Sequence, residues 1–114
     1  MIQVDYIGDL KVEEMKAATV DALKLANELK TAGKQVLVLV NSSELQLPHS
    51  KEREYGSELL KTFPYDKVAV YGENKLANYV INLLVTVSQT NDKVRIFTTR
   101  EEAEAWLKEQ PKSS

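Results

Sequence analysis

Three serines and the chain's single histidine fall within one polar stretch, Asn41-Ser42-Ser43-Glu44-Leu45-Gln46-Leu47-Pro48-His49-Ser50. Serine, imidazole and carboxylate are the parts of a nucleophilic hydrolase, in which the base lies within hydrogen-bond reach of the hydroxyl and a third group orients it. The spacing argues against that use. Adjacent His49 and Ser50 side chains point apart, and no Gly-x-Ser-x-Gly elbow surrounds any of the serines. The simpler reading makes Ser50 an N-cap, because a serine ahead of a helical stretch accepts from the free amides of the first turn. A phosphate on Ser50 would meet the same amides and the positive end of the helix dipole, with Lys51 and Arg53 nearby and Glu52 and Glu54 opposing them. The stretch exceeds the usual connection of about 2–6 residues. Ser42, Ser43, His49 and Ser50 therefore stand as the candidate partner-facing or phospho-switch loop.

Other chemistry has less support. One histidine and no cysteine cannot build an N/S zinc site, and the acidic residues belong mainly to solvent faces of helices. Gly72-Glu73-Asn74-Lys75 follows a strand and opens a helix, but it lacks the phosphate-loop spacing, and Glu73 would repel an anion there. Gly8-Asp9 makes a strand-to-helix turn without a nucleotide fingerprint. No cofactor and no metal is expected.

These residues are positioned by alternating strand-like and helix-like segments. Ile2–Ile7 alternates apolar and polar residues as a half-buried strand does. From Lys11 to Thr31, Val12, Met15, Ala18, Ala22, Ala26 and Leu29 repeat with helical period, and Gly33 follows as a stop. Gln35–Val40 contains the run Val36-Leu37-Val38-Leu39-Val40, which fits a strand buried on both faces, with 41–49 as the loop after it. A helix over Ser50–Thr62, a strand over Lys67–Tyr71, a helix over Glu73–Gln89 and a strand over Lys93–Phe97 complete the pattern. A last helix opens at Thr99-Arg100-Glu101-Glu102, a capping box, and buries Trp106. The expectation is a single α/β domain over 1–110 with a frayed tail at 111–114. Its single-layer, mostly parallel four-stranded sheet has helices on both faces and strand order 2-1-3-4, with ligands gathering at the carboxyl edge near the switch between strands 1 and 3.

The third helix is unusual in having no charge from Leu76 to Asn91. On a helical wheel Leu76, Val80, Leu83, Leu84 and Val87 make a core stripe, which leaves Ile81 and Val85 off it and Tyr79 on the other edge. Tyr79, Ile81 and Val85 are thus the candidate association surface, for a second copy or another protein. A central helix flanked by neighbours would explain the wide apolar arc as simply, and an apolar ligand cavity beneath this helix is a further alternative.

Composition closes off several classes. The chain has 114 residues, with 15 basic and 17 acidic side chains, so it lacks the basic excess of a nucleic-acid binder. The uncharged run is too short and too polar for a membrane span, and the first residues lack the features of a signal peptide. A cytoplasmic protein is expected.

The order of elements, with Tyr6-Ile7-Gly8-Asp9-Leu10, Lys67-Val68-Ala69-Val70-Tyr71-Gly72 and Val94–Leu107 ending in Ala103-Glu104-Ala105-Trp106-Leu107, resembles the SpoIIAA-like branch of the STAS superfamily. The resemblance covers nearly the whole chain and rests on structural motifs. It implies a STAS-like fold and a small, non-catalytic bacterial regulatory or protein-interaction module, in which a homodimer would be in keeping. It also implies, through the likeness of this branch to lipid-transfer folds, a carrier or sensor of a lipid or other apolar small molecule as the alternative. A Ser/His hydrolase is the least favoured class. Some relatives are phosphorylated in an Asp-Ser-Ser-Gly-like motif after the second parallel strand; here that place reads Leu47-Pro48-His49-Ser50-Lys51, with only Ser50 matching in type. Family members also commonly carry a strand ahead of the one starting at Ile2.

Overall fold

Alternation along the strands decides what each face of the sheet buries. In the computed structural model, which describes residues 1–8, 11–45, 49–90 and 92–109, the order is β1 (Ile2–Gly8), α1 (Val12–Thr31), β2 (Leu37–Leu45), α2 (Ser50–Thr62), β3 (Lys67–Tyr71), α3 (Lys75–Ser88), β4 (Val94–Phe97) and α4 (Arg100–Leu107). Ile2, Val38, Val40, Val68, Val70 and Val94 pack on one side with Ala26 of α1 and Val85 of α3. Leu39 and Ala69 pack on the other side with Ala103, Trp106 and Leu107 of α4. The run Val36–Val40 is buried on both faces for this reason.

All three strand pairings are parallel, and the strand order is β1-β2-β3-β4. The expected order 2-1-3-4 is therefore corrected, and with it the switch point between strands 1 and 3, which a sheet of unreversed order does not have. Parallel crossovers are right-handed almost without exception, so an order that never reverses returns every crossover helix to the same face. α1, α2 and α3 accordingly share one face, and α4, which makes no crossover, takes the other. α4 covers β2, β3 and β4. Beside β1, Gln3 and Asp5 are exposed.

Strand β2 continues through Asn41-Ser42-Ser43-Glu44-Leu45, which the sequence assigned to a loop. Pairing with β1 (Asp5 with Asn41, Ile7 with Glu44, Gly8 with Leu45) overrides the weak strand preference of Asn and Ser, and the register shifts between Asp5 and Ile7. Residues 46–48 and the tail at 111–114 lie outside the described residues.

Two contacts fix the ends of the layers. The fully buried Val36 donates its amide to Asp66 Oδ2 at 2.6 Å, while the Asp66 amide donates to the Val36 carbonyl at 2.8 Å, which locks the start of β2 to that of β3. Lys67 Nζ donates to the carbonyls of Trp106 and Glu109 at 3.3 Å and lies 5.0 Å from the Trp106 ring centre, so one cation meets the negative end of α4 and the face of its largest side chain. Asp66→Ala removes the acceptor of a buried amide and is predicted to cost about 1–3 kcal/mol in urea unfolding. Asp66→Asn, which keeps an acceptor oxygen, should lose less.

Candidate functional site

At the carboxyl edge of the sheet, the candidate serines divide between structural work and solvent. Ser42 is fully buried, and its hydroxyl lies 3.1 Å from both the Tyr71 carbonyl and Asn78 Oδ1. Asn78 Nδ2 in turn donates to the Gly72 carbonyl at 2.9 Å, so Ser42 ties β2, β3 and α3 together. Gly72 is needed there: its φ of +151° is one that L side chains rarely adopt, and a Cβ would lie 2.8 Å from the Ser43 amide nitrogen. Ser43 is exposed, and its amide donates to Asn41 Oδ1 at 3.0 Å.

The other end of the stretch differs from expectation. The N-cap of α2 is His49, without a side-chain capping bond; Ser50 is the first helical residue, one place too late to cap, and its Oγ accepts from Arg53 Nη2 at 3.2 Å. His49 and Ser50 are both exposed. The three serines are thus dispersed: Ser42 is buried between the layers, whereas Ser43 and Ser50 face solvent. Thr99 does cap α4, accepting from the Glu102 amide at 3.3 Å and donating to Glu102 Oε1 at 3.0 Å.

Helix α3 sits rotated from its expected setting. Val85 is 3% exposed and Ile81 is half-buried, whereas Leu76 and Val87, assigned to the core, are 66% and 71% exposed, with Tyr79 and Leu83 exposed beside them. The small residues Ala77 and Ser88 face inward instead and let the helix approach the sheet. Contrary to expectation, Ile81 and Val85 therefore face the core and not the surface, while Tyr79 lies on an exposed apolar stripe.

The feature that sequence reasoning placed only in outline is a half-open apolar cavity of about 200 Å³ between the sheet and the α1–α3 layer. Val4, Val38, Val40 and Val70 are among the sheet residues forming its floor, with Met15 and Ala22 of α1, Leu59 of α2 and Ile81 and Leu84 of α3 in its walls. It exists because Ala18 and Ala22 on α1 and Gly56 on α2 stop short where larger side chains would meet. α2 packs closely on α3, where a Cβ on Gly56 would stand 3.6 Å from Leu84 Cδ1, and only lightly on α1. The Tyr55 hydroxyl reaches Thr19 Oγ1 at 3.4 Å across that looser seam. At one end the Tyr65 hydroxyl donates to the Leu60 carbonyl at 2.5 Å, and burial pushes this phenol above its ordinary value of 10. Small residues on the inward stripe of α1 are the signal in the sequence that marks such a space.

Among the described residues, no group of three or more His, Cys, Asp or Glu comes together to hold a metal, and no helix is long and apolar enough to cross a membrane.

A parallel sheet with three helices on one face and one on the other, enclosing an apolar space, defines a small α/β domain. The family model described as SpoIIAA-like matches residues 1–108, and the chain belongs to that branch of the STAS superfamily. No curated protein and no solved structure matches it. The geometry separates the two helix starts: Thr99→Ala is predicted to cost about 1 kcal/mol in chemical unfolding. Ser50→Ala should stay within about 0.5 kcal/mol of the parent, as expected for a surface site that caps nothing.

Proposed function

We propose that this protein is a small non-catalytic binding module that takes an apolar small molecule between its sheet and the α1–α3 layer. The cavity carries this reading. A ligand that removes these apolar walls from water gains about 25 cal/mol for every Å² buried. A space so large and so predominantly apolar is accounted for by a ligand, and a cavity of about 150 Å³ already holds benzene. Membership of the SpoIIAA-like family is in keeping with a regulatory module whose state depends on occupancy. The dispersed serines and exposed His49 support binding over catalysis.

A second reading, association with a protein or with another copy, is favoured by the stripe Leu76, Tyr79, Leu83 and Val87. Contiguous exposed apolar residues on a helix mark contact surfaces, and pairing of two copies about a twofold axis is the commonest way to cover one. Leu76→Lys with Val87→Lys should leave the fold intact and lower the sedimentation coefficient of any dimer; an unchanged dimer would remove this reading.

The ligand reading is tested by filling the space. Ala22→Leu places three further carbons against the cavity and is predicted to raise stability by about 1–2 kcal/mol, from roughly 0.8 kcal/mol per buried methylene less some strain. It should also abolish the heat of binding that hexan-1-ol gives with the parent protein in titration calorimetry. No binding by the parent, together with destabilisation by Ala22→Leu, would show the space to be closed in solution and overturn the proposal.

A further inference from the structure

Glu52 does not belong in an apolar wall. It lines the cavity and is only 8% exposed, while its neighbours Lys51, Arg53 and Glu54 on the same helix turn are exposed. Its place in the first turn of α2 favours a carboxylate, because the helix dipole is positive there. That explains the charge and not the position: an exposed glutamate would serve the dipole as well without lying against an apolar cavity.

The carboxylate also lacks an internal partner. Among the described residues it makes no hydrogen bond and no ion pair, and no lysine, arginine or histidine lines the cavity. No side-chain oxygen among the described residues is both fully enclosed and unpaired, so the Glu52 carboxylate keeps accessible surface, and the residue lines the cavity. A negative, hydrogen-bond-accepting group thus stands at the edge of a space whose remaining surface is almost wholly hydrocarbon.

We infer that the ligand carries a cationic, proton-donating head on its apolar body, a primary aliphatic amine being the simplest form. Its ammonium would pair with Glu52, and its body would lie among Val4, Val40, Leu59 and Leu84. Charge-assisted hydrogen bonds between an ammonium and a carboxylate are among the stronger polar contacts, more so beside a low-dielectric wall. The same carboxylate disfavours fatty acids and other anionic amphiphiles by placing like charges together, so it selects as well as attracts. The inference rests on the apolar-ligand reading and adds the sign of the head group to it.

Titration calorimetry of the full chain at neutral pH with hexylamine, hexan-1-ol and hexanoate tests both levels separately. The amine should bind about tenfold tighter than the alcohol, with hexanoate weakest. Glu52→Gln should bring amine and alcohol to within about twofold of each other. If the alcohol binds and the amine binds no better, or if the amine keeps its advantage in Glu52→Gln, the head-group inference is overturned and the apolar site stands. If none of the three binds, the apolar site fails and the inference with it. Should Glu52→Gln not fold, the amine-to-hexanoate ratio of the parent protein decides alone, and a ratio near one overturns the inference.

Discussion

The constraint on which the rest of the structure depends is a parallel sheet whose strand order never reverses. With order β1-β2-β3-β4, right-handed crossovers send α1, α2 and α3 to one face and leave the other to α4. Three helices must then share one face of a four-stranded sheet, so the spacing between them becomes a matter of side-chain size. On the opposite face one short helix suffices, because it brings Trp106 and Leu107 and is held at its end by Lys67. Phe97 meets the Trp106 ring at 5.8 Å, and Arg95 lies 5.5 Å from it, which completes a dense second layer. The two faces of one sheet thus differ: one is closed by a few large groups, the other spanned by many small ones.

The cavity follows from that asymmetry. Ala18, Ala22 and Gly56 leave room that the valines of the sheet cannot fill, and the light packing of α1 on α2 keeps the space half-open. Glu52 gives it one charged point, and the first turn of α2 is where a carboxylate is best tolerated. The carboxyl edge of the sheet, where ligands of α/β proteins usually gather, is instead occupied by the Ser42–Asn78–Gly72 connections that hold β2, β3 and α3 in place.

Much of the fold was legible because strong periodicity leaves few choices. The element order, the parallel pairing, the two-faced burial of Val36–Val40 and the core position of Trp106 all agree with the structure. The strand order differs from expectation although a signal is present: a strand apolar on both faces needs cover on both, and α4 covers β2, β3 and β4 but not β1, whose Gln3 and Asp5 stay exposed. Continuation of β2 through Ser42 and Ser43 is set by pairing with β1, which local preference does not register. Helix α3 was misplaced for a different reason. Uncharged after Lys75, it offers the wheel no charged face to fix its rotation, and the residues that decide it, Ala77 and Ser88, carry little hydrophobic weight. Of the candidate site, the serines and His49 were visible as residue types. The cavity was anticipated only as an alternative, since empty space is made by residues that are too small rather than by residues that stand out.

The most direct measurement is a methyl-selective NMR experiment that records contacts between bound hexylamine and the protein's Ile, Leu and Val methyl groups. The account predicts intermolecular cross-peaks to Val4, Val40, Leu59 and Leu84 in the cavity, with none to Leu39 or Leu107 between the sheet and α4. Cross-peaks confined to Leu76, Leu83 and Val87 on the outer stripe of α3, or none at all, would contradict it.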